Sequence, residues 1–443
     1  MHKNLFKKVL TTMFSTMLIG SVLMTSVSAE TTELRFAGFC AEDGTVGNMF
    51  FPSLNEFLRE NPDINVINDY AYDDDMKAKI KSEAAADSLP EVMAYWATLA
   101  NSSWLYASDK IVTTEELVSE IDGLDISMID ESILKTTSYN GVSYGIPLNT
   151  LRMCFVVNKK IYEECGVTLP SEYETYTYEQ FREDGKVFLE KGYIPVTIGY
   201  KGGNPGHYWL AEIISQLPGG LDDLYGLLEY KAPVSGENFA KAMSYVQEDI
   251  NLGLYPQDFL NASWSEMHAL YCDRRAAAMY TITSSAAPLM VEDEELVEES
   301  IVVPFPQIEE CVSAPSSRVA RSVNWSLHVS RKCWEDPVKK DAVCRFLSWF
   351  FSEEWQKAYA TTEEPALKFD FDINDSFGPF YQEVLNLQSD WSYSPYFLSA
   401  VPDASVFTAF KDNIMEAATL AITPEEFAER SLEIFDELQY AIE

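Results

Sequence analysis

Residues 140–167 constrain the fold most, because a tight turn, a buried strand and a helix start follow one another there. Asn140-Gly141 favours a two-residue turn, and Gly145 interrupts the chain again. Residues 153–157 form a continuous apolar run, rich in Val and Phe, which is typical of a strand buried on both faces. Gly166 then predicts the end of a helix. Strands of this kind occur in parallel or mixed sheets that helices cover.

Predicted strands and helices alternate in the N-terminal part of the chain. The strands cover residues 34–38, 64–67 and 91–96, and the helices cover residues 49–60 and 73–86. This order implies parallel pairing through right-handed crossovers, which is typical of an α/β fold. In the C-terminal part, Asp336-Pro337 and Thr423-Pro424-Glu425-Glu426 predict capped helix starts.

Residues 1–29 have the pattern of an export signal. Lysines precede an apolar run, and Val27-Ser28-Ala29 supplies the small residues that signal peptidases favour. An uncleaved membrane anchor is the alternative, but Ser and Thr dilute the run. Because the first cysteine, Cys40, lies beyond the expected cleavage after Ala29, we expect an exported periplasmic or extracellular protein at the outer face of the cytoplasmic membrane, without a lipid anchor.

Length and charge narrow the classes of function. A chain of 443 residues is too long for one hydrophobic core and suits two lobes. The net charge of −38 argues against nucleic acid or anionic lipid as partners, because both would be repelled. A solvated acidic surface explains this charge better than a cationic ligand does.

The cysteines do not indicate a metal or cofactor site. The chain has seven, with no CxxC pair and no Cys/His spacing of the kind that binds metal. We expect most of them to be small buried side chains. A disulfide between Cys333 and Cys344 stays open, because the sequence cannot assign it.

Several motifs, in the right order, resemble the extracellular solute-binding proteins of ABC importers, the family that includes maltose-binding proteins. Tyr144-Gly145-Ile146-Pro147 and Asn158-Lys159 resemble the family's segments on either side of a buried strand. Weaker similarities occur at residues 61–66, 90–92, 276–285, 301–306 and 352–356. Val156, Val157, Glu91 and Arg275 depart from the residues that the family usually has there.

The resemblance implies a two-lobed periplasmic-binding-protein-like fold of type II. Each lobe would have a mixed, mostly parallel sheet flanked by helices, and a hinge would join the lobes. Lobe one would comprise residues 30–148 and 300–352, and lobe two residues 149–299 and 353–443. A ligand would lie in the cleft between them, at the carboxyl ends of strands.

The implied function is capture of a small solute for an ABC permease by a monomeric protein. A mono- or oligosaccharide fits the aromatic richness, since aromatic rings pack on the C–H face of a sugar while amide, carboxylate and guanidinium groups bind its hydroxyls. Tyr95 and Trp96 end a predicted strand, and Asn149 and Arg152 follow the break at the lobe crossing. These residues are therefore candidate ligand contacts.

Other candidates come from loops that the resemblance places at the cleft. His207 and Trp209 belong to the glycine-rich segment 201–209, which lacks the Gly-Lys-Ser or Gly-Lys-Thr of a P-loop. The remaining candidates are Tyr280, Thr283, Trp325 and Asp43. Core packing is the alternative for every aromatic candidate, and Trp104, Trp264 and Trp391 are further possibilities.

Two other functions stay open. A secreted carbohydrate-active enzyme needs two carboxylates at a fixed separation, but an acidic chain provides such pairs by chance, and no GxSxG or HExxH motif is present. We therefore expect no enzymatic activity. A binding protein that reports its ligand to a membrane receptor kinase would have the same fold, and the sequence does not separate sensing from import.

Overall fold

The computed structural model describes residues 31–38, 40–42, 44–71, 73–203, 205–228, 231, 233, 235–318, 321–389, 401 and 403–440. The predicted export signal and the candidates Asp43 and Trp391 lie outside the described residues. The strands are β1 (Thr32–Ala37), β2 (Ile64–Asn68), β3 (Val92–Trp96), β4 (Ser138–Tyr139), β5 (Val142–Ser143), β6 (Ile146–Asn158), β7 (Ile194–Thr197), β8 (Ala276–Ile282), β9 (Ser300–Val303), β10 (Arg321–Val329) and β11 (Glu364–Pro365).

The helices cover both faces of the sheet. They are α1 (Thr45–Glu60), α2 (Asp73–Ala85), α3 (Leu99–Tyr106), α4 (Thr114–Val118), α5 (Glu131–Thr136), α6 (Lys159–Cys165), α7 (Tyr178–Lys191), α8 (Gly206–Gln216), α9 (Gly220–Leu228), α10 (Glu237–Leu252), α11 (Trp264–Cys272), α12 (Thr283–Glu292), α13 (Glu294–Glu299), α14 (Arg331–Trp334), α15 (Pro337–Phe350), α16 (Glu353–Tyr359), α17 (Pro379–Leu387), α18 (Ala404–Ala418) and α19 (Pro424–Tyr440).

The main sheet is mixed. Its strand order is β2-β1-β3-β10-β6-β8-β7, and β9 and β11 also pair with β6. Strand β1 pairs in parallel with β2 and β3, and β7 pairs in parallel with β8. Strands β10 and β6 are antiparallel to their neighbours. The chain therefore has the α/β architecture that the alternation of strands and helices predicts.

Strand β6 is longer than the apolar run predicts. It extends from Ile146 to Asn158, and all of its residues are buried. Its first part pairs with β10, and its last part pairs with β8 and β9. The apolar pattern predicts a buried strand only from residue 153, because Asn149 and Arg152 interrupt the pattern before it. Both side chains have buried partners, which periodicity cannot reveal.

Two large hydrophobic cores lie on the two parts of this sheet. The first contains Phe36, Leu148 and Phe346, and the second contains Phe155 and Trp209 among many others. Strand β6 contributes to both cores. The chain therefore passes from one core to the other within β6, close to residue 149.

The two cores divide the residues around the boundaries predicted at residues 300 and 353 as follows. Val303 and Phe305 pack in the second core, while Trp355 and Tyr359 pack in the first. Strand β9 pairs with the second part of β6, beside the second core. Strand β10 pairs with β3 and with the first part of β6, beside the first core.

Candidate functional site

Two tryptophan side chains face each other where β3 ends. Trp96 and Trp325 are directly opposite in the β3–β10 pairing, so their rings lie on the same face of the sheet. The ring centroids are 4.3 Å apart and the planes are inclined by 33°. Both rings are partly buried and retain some solvent exposure. This tryptophan pair therefore forms a partly exposed aromatic surface at the carboxyl end of a strand.

Neighbouring groups hold the tryptophan pair in place. The Nζ atom of Lys77, on α2, lies 4.6 Å from the centroid of the Trp96 ring. Ser102, on α3, donates its hydroxyl to the carbonyl oxygen of Trp96. The backbone N–H of Ala97 donates to the carbonyl oxygen of Asn324 at 3.0 Å. The Trp96 ring thus has a cation over it and rests on well-bonded backbone.

Asn149 lies behind this surface. Its Oδ1 atom accepts a hydrogen bond from the backbone N–H of Trp325 at 3.2 Å, and its Nδ2 atom donates to Oε2 of Glu363 at 2.7 Å. The β10–β6 register shifts on both sides of Trp325, so the Asn149 amide satisfies a backbone group that the ladder does not. Asn149 is buried and supports Trp325 from within the hinge.

Arg152 is also engaged within the protein. Its Nε and Nη2 atoms donate to the two carboxylate oxygens of Glu364 at 2.8 and 3.0 Å, and Nη1 donates to the carbonyl oxygen of Gln388 at 3.3 Å. The hydroxyl oxygen of Thr283 accepts a hydrogen bond from the backbone N–H of Arg152 at 3.0 Å. The side chains of Arg152 and Glu364 are only 7% and 8% exposed, so this is a buried ion pair at the lobe crossing.

A second aromatic group lies in lobe two, formed by Tyr208, Trp264 and Phe407. The rings of Tyr208 and Trp264 are 6.1 Å apart, and His207 lies 3.8 Å from Tyr208 and 5.8 Å from Phe407. These three aromatic side chains are partly exposed, whereas His207 is buried. Burial lowers the pKa of His207 well below its ordinary value, and the positive charge of Lys411 lowers it further.

The two aromatic surfaces belong to lobes that meet nearby. Helix α3, which follows Trp96, contacts α18, which carries Phe407. Nδ2 of Asn324 donates to the hydroxyl of Ser284, at the start of α12, at 3.4 Å. Asn324, which precedes Trp325, therefore forms a direct hydrogen bond to lobe two.

The structure places three other candidates in cores. Tyr95 is 2% exposed and packs edge-on against the ring of Trp104. Trp209 is fully buried and donates its Nε1 proton to the hydroxyl of Tyr178 at 3.0 Å. Tyr280 packs on Trp209 and lies beside Glu212 at a small internal cavity of about 10 Å³. These three side chains therefore pack in cores and are not part of the partly exposed aromatic surfaces.

Two carboxyl groups, of Glu212 and Glu363, are buried and form no ion pair with the part of the chain that the structure describes. Burial raises the pKa of Glu363 to about 8, against the opposing effect of the Asn149 hydrogen bond. Burial also raises the pKa of Glu212 to about 8, against the opposing effects of Arg318 and Tyr280. Both groups therefore favour the neutral carboxylic acid at neutral pH.

Sequence reasoning missed part of this arrangement. Tyr208 lies between two named candidates, and a helix that starts at Gly206 turns its ring away from the core that Trp209 enters. Phe407 lies in α18, which Asp403 caps, but nothing in the sequence places α18 beside α8. Among the residues that the structure describes, no cluster of His, Cys, Asp or Glu could hold a metal ion.

The chain was compared with known proteins. The family model described as bacterial extracellular solute-binding protein matches residues 52–357. No curated protein matches the chain. Over the described residues, none of the helices is long and apolar enough to cross a membrane.

Solved structures share the fold. A structure from work on xylan utilization by the thermophilic bacterium Caldanaerobius polysaccharolyticus has a TM-score of 0.78 at 22% identity, covering 91% of this chain and 99% of that chain. A chitin oligosaccharide binding protein has a TM-score of 0.76 at 16% identity, covering 93% and 100%. A maltose-bound protein of T. maritima has a TM-score of 0.68 at 15% identity, covering 92% and 99%. At these identities the likeness shows the two-lobed fold alone.

Proposed function

Because the chain belongs to the bacterial extracellular solute-binding protein family, we propose that it captures a mono- or oligosaccharide between its lobes and delivers it to an ABC permease. Members of this family bind solutes; the kind of solute and the permease are the proposed parts. The xylan, chitin oligosaccharide and maltose named for similar structures support a carbohydrate.

The tryptophan pair is the observation that carries the proposal. A sugar ring has an apolar C–H face, and an aromatic ring packs against it while hydroxyl groups at the edge find polar partners. Trp96 and Trp325 provide such a face at the carboxyl end of β3, the edge at which ligands bind in open α/β sheets. The ammonium group of Lys77 lies over the Trp96 ring and can donate hydrogen bonds to hydroxyl groups there.

Lobe two supplies the opposite wall in this proposal. Tyr208, Trp264 and Phe407 are partly exposed rings grouped around His207. A ligand held between two aromatic walls would favour closure of the hinge, since only the closed form contacts both faces. Sugars long enough to contact both walls should therefore bind more tightly than single rings.

The chain's first residues support export. Residues 1–29 have the pattern of a cleaved signal, and no cysteine stands at the expected cleavage site. We therefore place the mature protein outside the cytoplasmic membrane without a lipid anchor. Mass spectrometry of the protein secreted by its host would show an N-terminus at Glu30 and no lipid.

Titration calorimetry with the purified protein tests the ligand class. The panel contains xylo-, chito- and malto-oligosaccharides of increasing length and their monosaccharides, with polyamines and short peptides as the comparison set. We expect heat of binding with at least one oligosaccharide and a smaller radius of gyration by solution scattering on binding. Binding only of a polyamine or peptide contradicts the carbohydrate assignment, and catalytic cleavage of the sugars contradicts a binding protein.

A further inference from the structure

A buried carboxyl group contacts the tryptophan pair through one intermediate. Glu363 accepts the hydrogen bond from Nδ2 of Asn149, and Oδ1 of the same amide accepts the backbone N–H of Trp325. The ring of Trp325 lies 4.3 Å from that of Trp96. A continuous set of contacts therefore leads from Glu363, before β11, to the aromatic surface at the end of β3.

The groups around Glu363 do not balance a negative charge. In the described part of the chain, Cys40, Tyr359 and Tyr381 interact electrostatically with this carboxyl, and burial holds the pKa of each well above its ordinary value, so all three stay neutral. The guanidinium of Arg152 is already held by both carboxylate oxygens of Glu364. Among the residues that the structure describes, the Asn149 amide is the hydrogen-bond donor to the Glu363 carboxyl.

We propose that Glu363 is a positioning residue, which holds the tryptophan pair through Asn149 and does so as a neutral carboxylic acid. The biological meaning of this inference rests on the proposed function, because the pair is the surface on which the proposed ligand would lie. Ionisation leaves a buried carboxylate without a cation beside it, which is strongly disfavoured. Water entry or movement of Asn149 relieves that charge, and either one displaces Trp325.

Circular dichroism tests the inference without any ligand. Two tryptophan rings at this separation couple electronically, and the difference between the wild-type spectrum and that of Trp325→Phe isolates the signal of the pair. In the wild-type protein we expect this signal to change between pH 6 and pH 9 with a midpoint near the pKa of Glu363, about 8. Ordinary tyrosines ionise above this range, near pH 10.

The variants separate positioning from general destabilisation. Glu363→Gln cannot ionise, so the pair's signal should be present at pH 7 and the transition should be lost. Glu212→Gln removes another buried carboxyl whose pKa is raised to about 8 but which is not bonded to Asn149, so this control should keep the transition. Asn149→Ala cuts the connection and should abolish the transition with Glu363 in place.

A transition that persists in Glu363→Gln, or a wild-type signal that is flat across this range, overturns the inference. If Glu363→Gln does not fold, the wild type is compared with Asn149→Ala instead. A pH transition that is retained in Asn149→Ala then overturns the inference. Because no sugar is present, a negative calorimetric panel would contradict the proposed function and leave this result unchanged.

Discussion

At the scale of single residues, Trp96 is the sharpest test of the proposed ligand surface. Its ring is partly exposed and stacked on Trp325. Trp96→Ala removes a stacking face worth about 1 kcal/mol beyond the buried area, so we expect the affinity for a sugar found by calorimetry to fall at least about fivefold. Trp96→Phe keeps an aromatic face and should lose less.

Trp349 provides the matched control. It is another partly buried tryptophan of lobe one, but it lies between Phe57 and Trp355 in the α1–α15 interface. Trp349→Ala should lower the melting temperature and leave the affinity of the folded protein unchanged. Equal losses of affinity in Trp96→Ala and Trp349→Ala would mean that the stacking surface is not the cause.

The sequence suggests Arg152 as a ligand contact, but we expect its main role to be the buried ion pair with Glu364. Removing one partner of a buried ion pair leaves the other charge uncompensated, which costs about 3–5 kcal/mol. Arg152→Met should therefore lower the urea midpoint strongly, because Glu364 loses both of its charge-assisted hydrogen bonds. Unfolding followed by far-ultraviolet circular dichroism measures this.

The double variant Arg152→Met/Glu364→Met completes that test. Replacing a buried ion pair with apolar side chains of similar size is often close to neutral, so the double variant should recover most of the lost stability. If Arg152→Met instead keeps the wild-type midpoint and loses affinity for sugar, Arg152 contacts the ligand and the ion pair is secondary.

At the scale of elements, residues 138–147 contain two glycines that are needed for different reasons, one in the β4–β5 turn and one just before β6. Gly141, in the β4–β5 turn, has a φ of +79° and open space around its Cα. Gly145 has a φ of +72°, and a Cβ there would lie 2.8 Å from the ring of His328 and 2.9 Å from the carbonyl oxygen of Leu327. Of these two glycines, only Gly145 is required by both conformation and packing.

Paired substitutions separate these two reasons. Gly141→Ala should cost about 1–2 kcal/mol, the penalty for a left-handed conformation at a residue with a Cβ. Gly145→Ala adds overpacking against β10, worth about 1–3 kcal/mol more. Chemical denaturation of both variants measures the difference in their free energies of unfolding. Equal destabilisation would show that His328 moves to make room for the added Cβ without loss of stability.

The sequence predicts elements wherever the local pattern and the tertiary environment agree. Capping residues identified the starts of α15 and α19: Asp336 accepts hydrogen bonds from two backbone N–H groups, and Thr423 and Glu426 form the predicted reciprocal pair. The first part of β6 was missed, because Asn149 and Arg152 look like surface residues until their buried partners, more than two hundred positions away, are known.

The candidate site shows the same limit. Trp96, at the end of a predicted strand, and Trp325, just before another, are both candidates from the sequence, but their stacking depends on the β3–β10 register. Trp209 was placed on the site by its loop, yet helix α8 directs its ring into the core and exposes Tyr208 instead. One residue along a helix changes the facing direction by about 100°, so a loop motif locates a site without choosing its contacts.

At the scale of the whole molecule, the buried acids link stability to pH. Burial raises the pKa of Glu212 and Glu363 from the ordinary value of 4.5 to about 8, so the fold favours their neutral forms. Their contribution to stability is fully present below pH 4.5 and is lost as the pH rises to about 8. Acids held by cations have the opposite sign: the Arg331 hydrogen bond lowers the pKa of Glu116 to about 2.

The double variant Glu212→Gln/Glu363→Gln should therefore flatten the pH dependence of stability. Between pH 5 and pH 8 the wild-type melting temperature should fall by several degrees more than that of the variant, and the gap should stop growing above the pKa of about 8. Glu116→Gln is the control: its carboxylate is already ionised throughout this range, so it should lower the curve without changing its slope. Parallel curves for the wild type and the double variant would mean that Glu212 and Glu363 are ionised in the folded protein at pH 5.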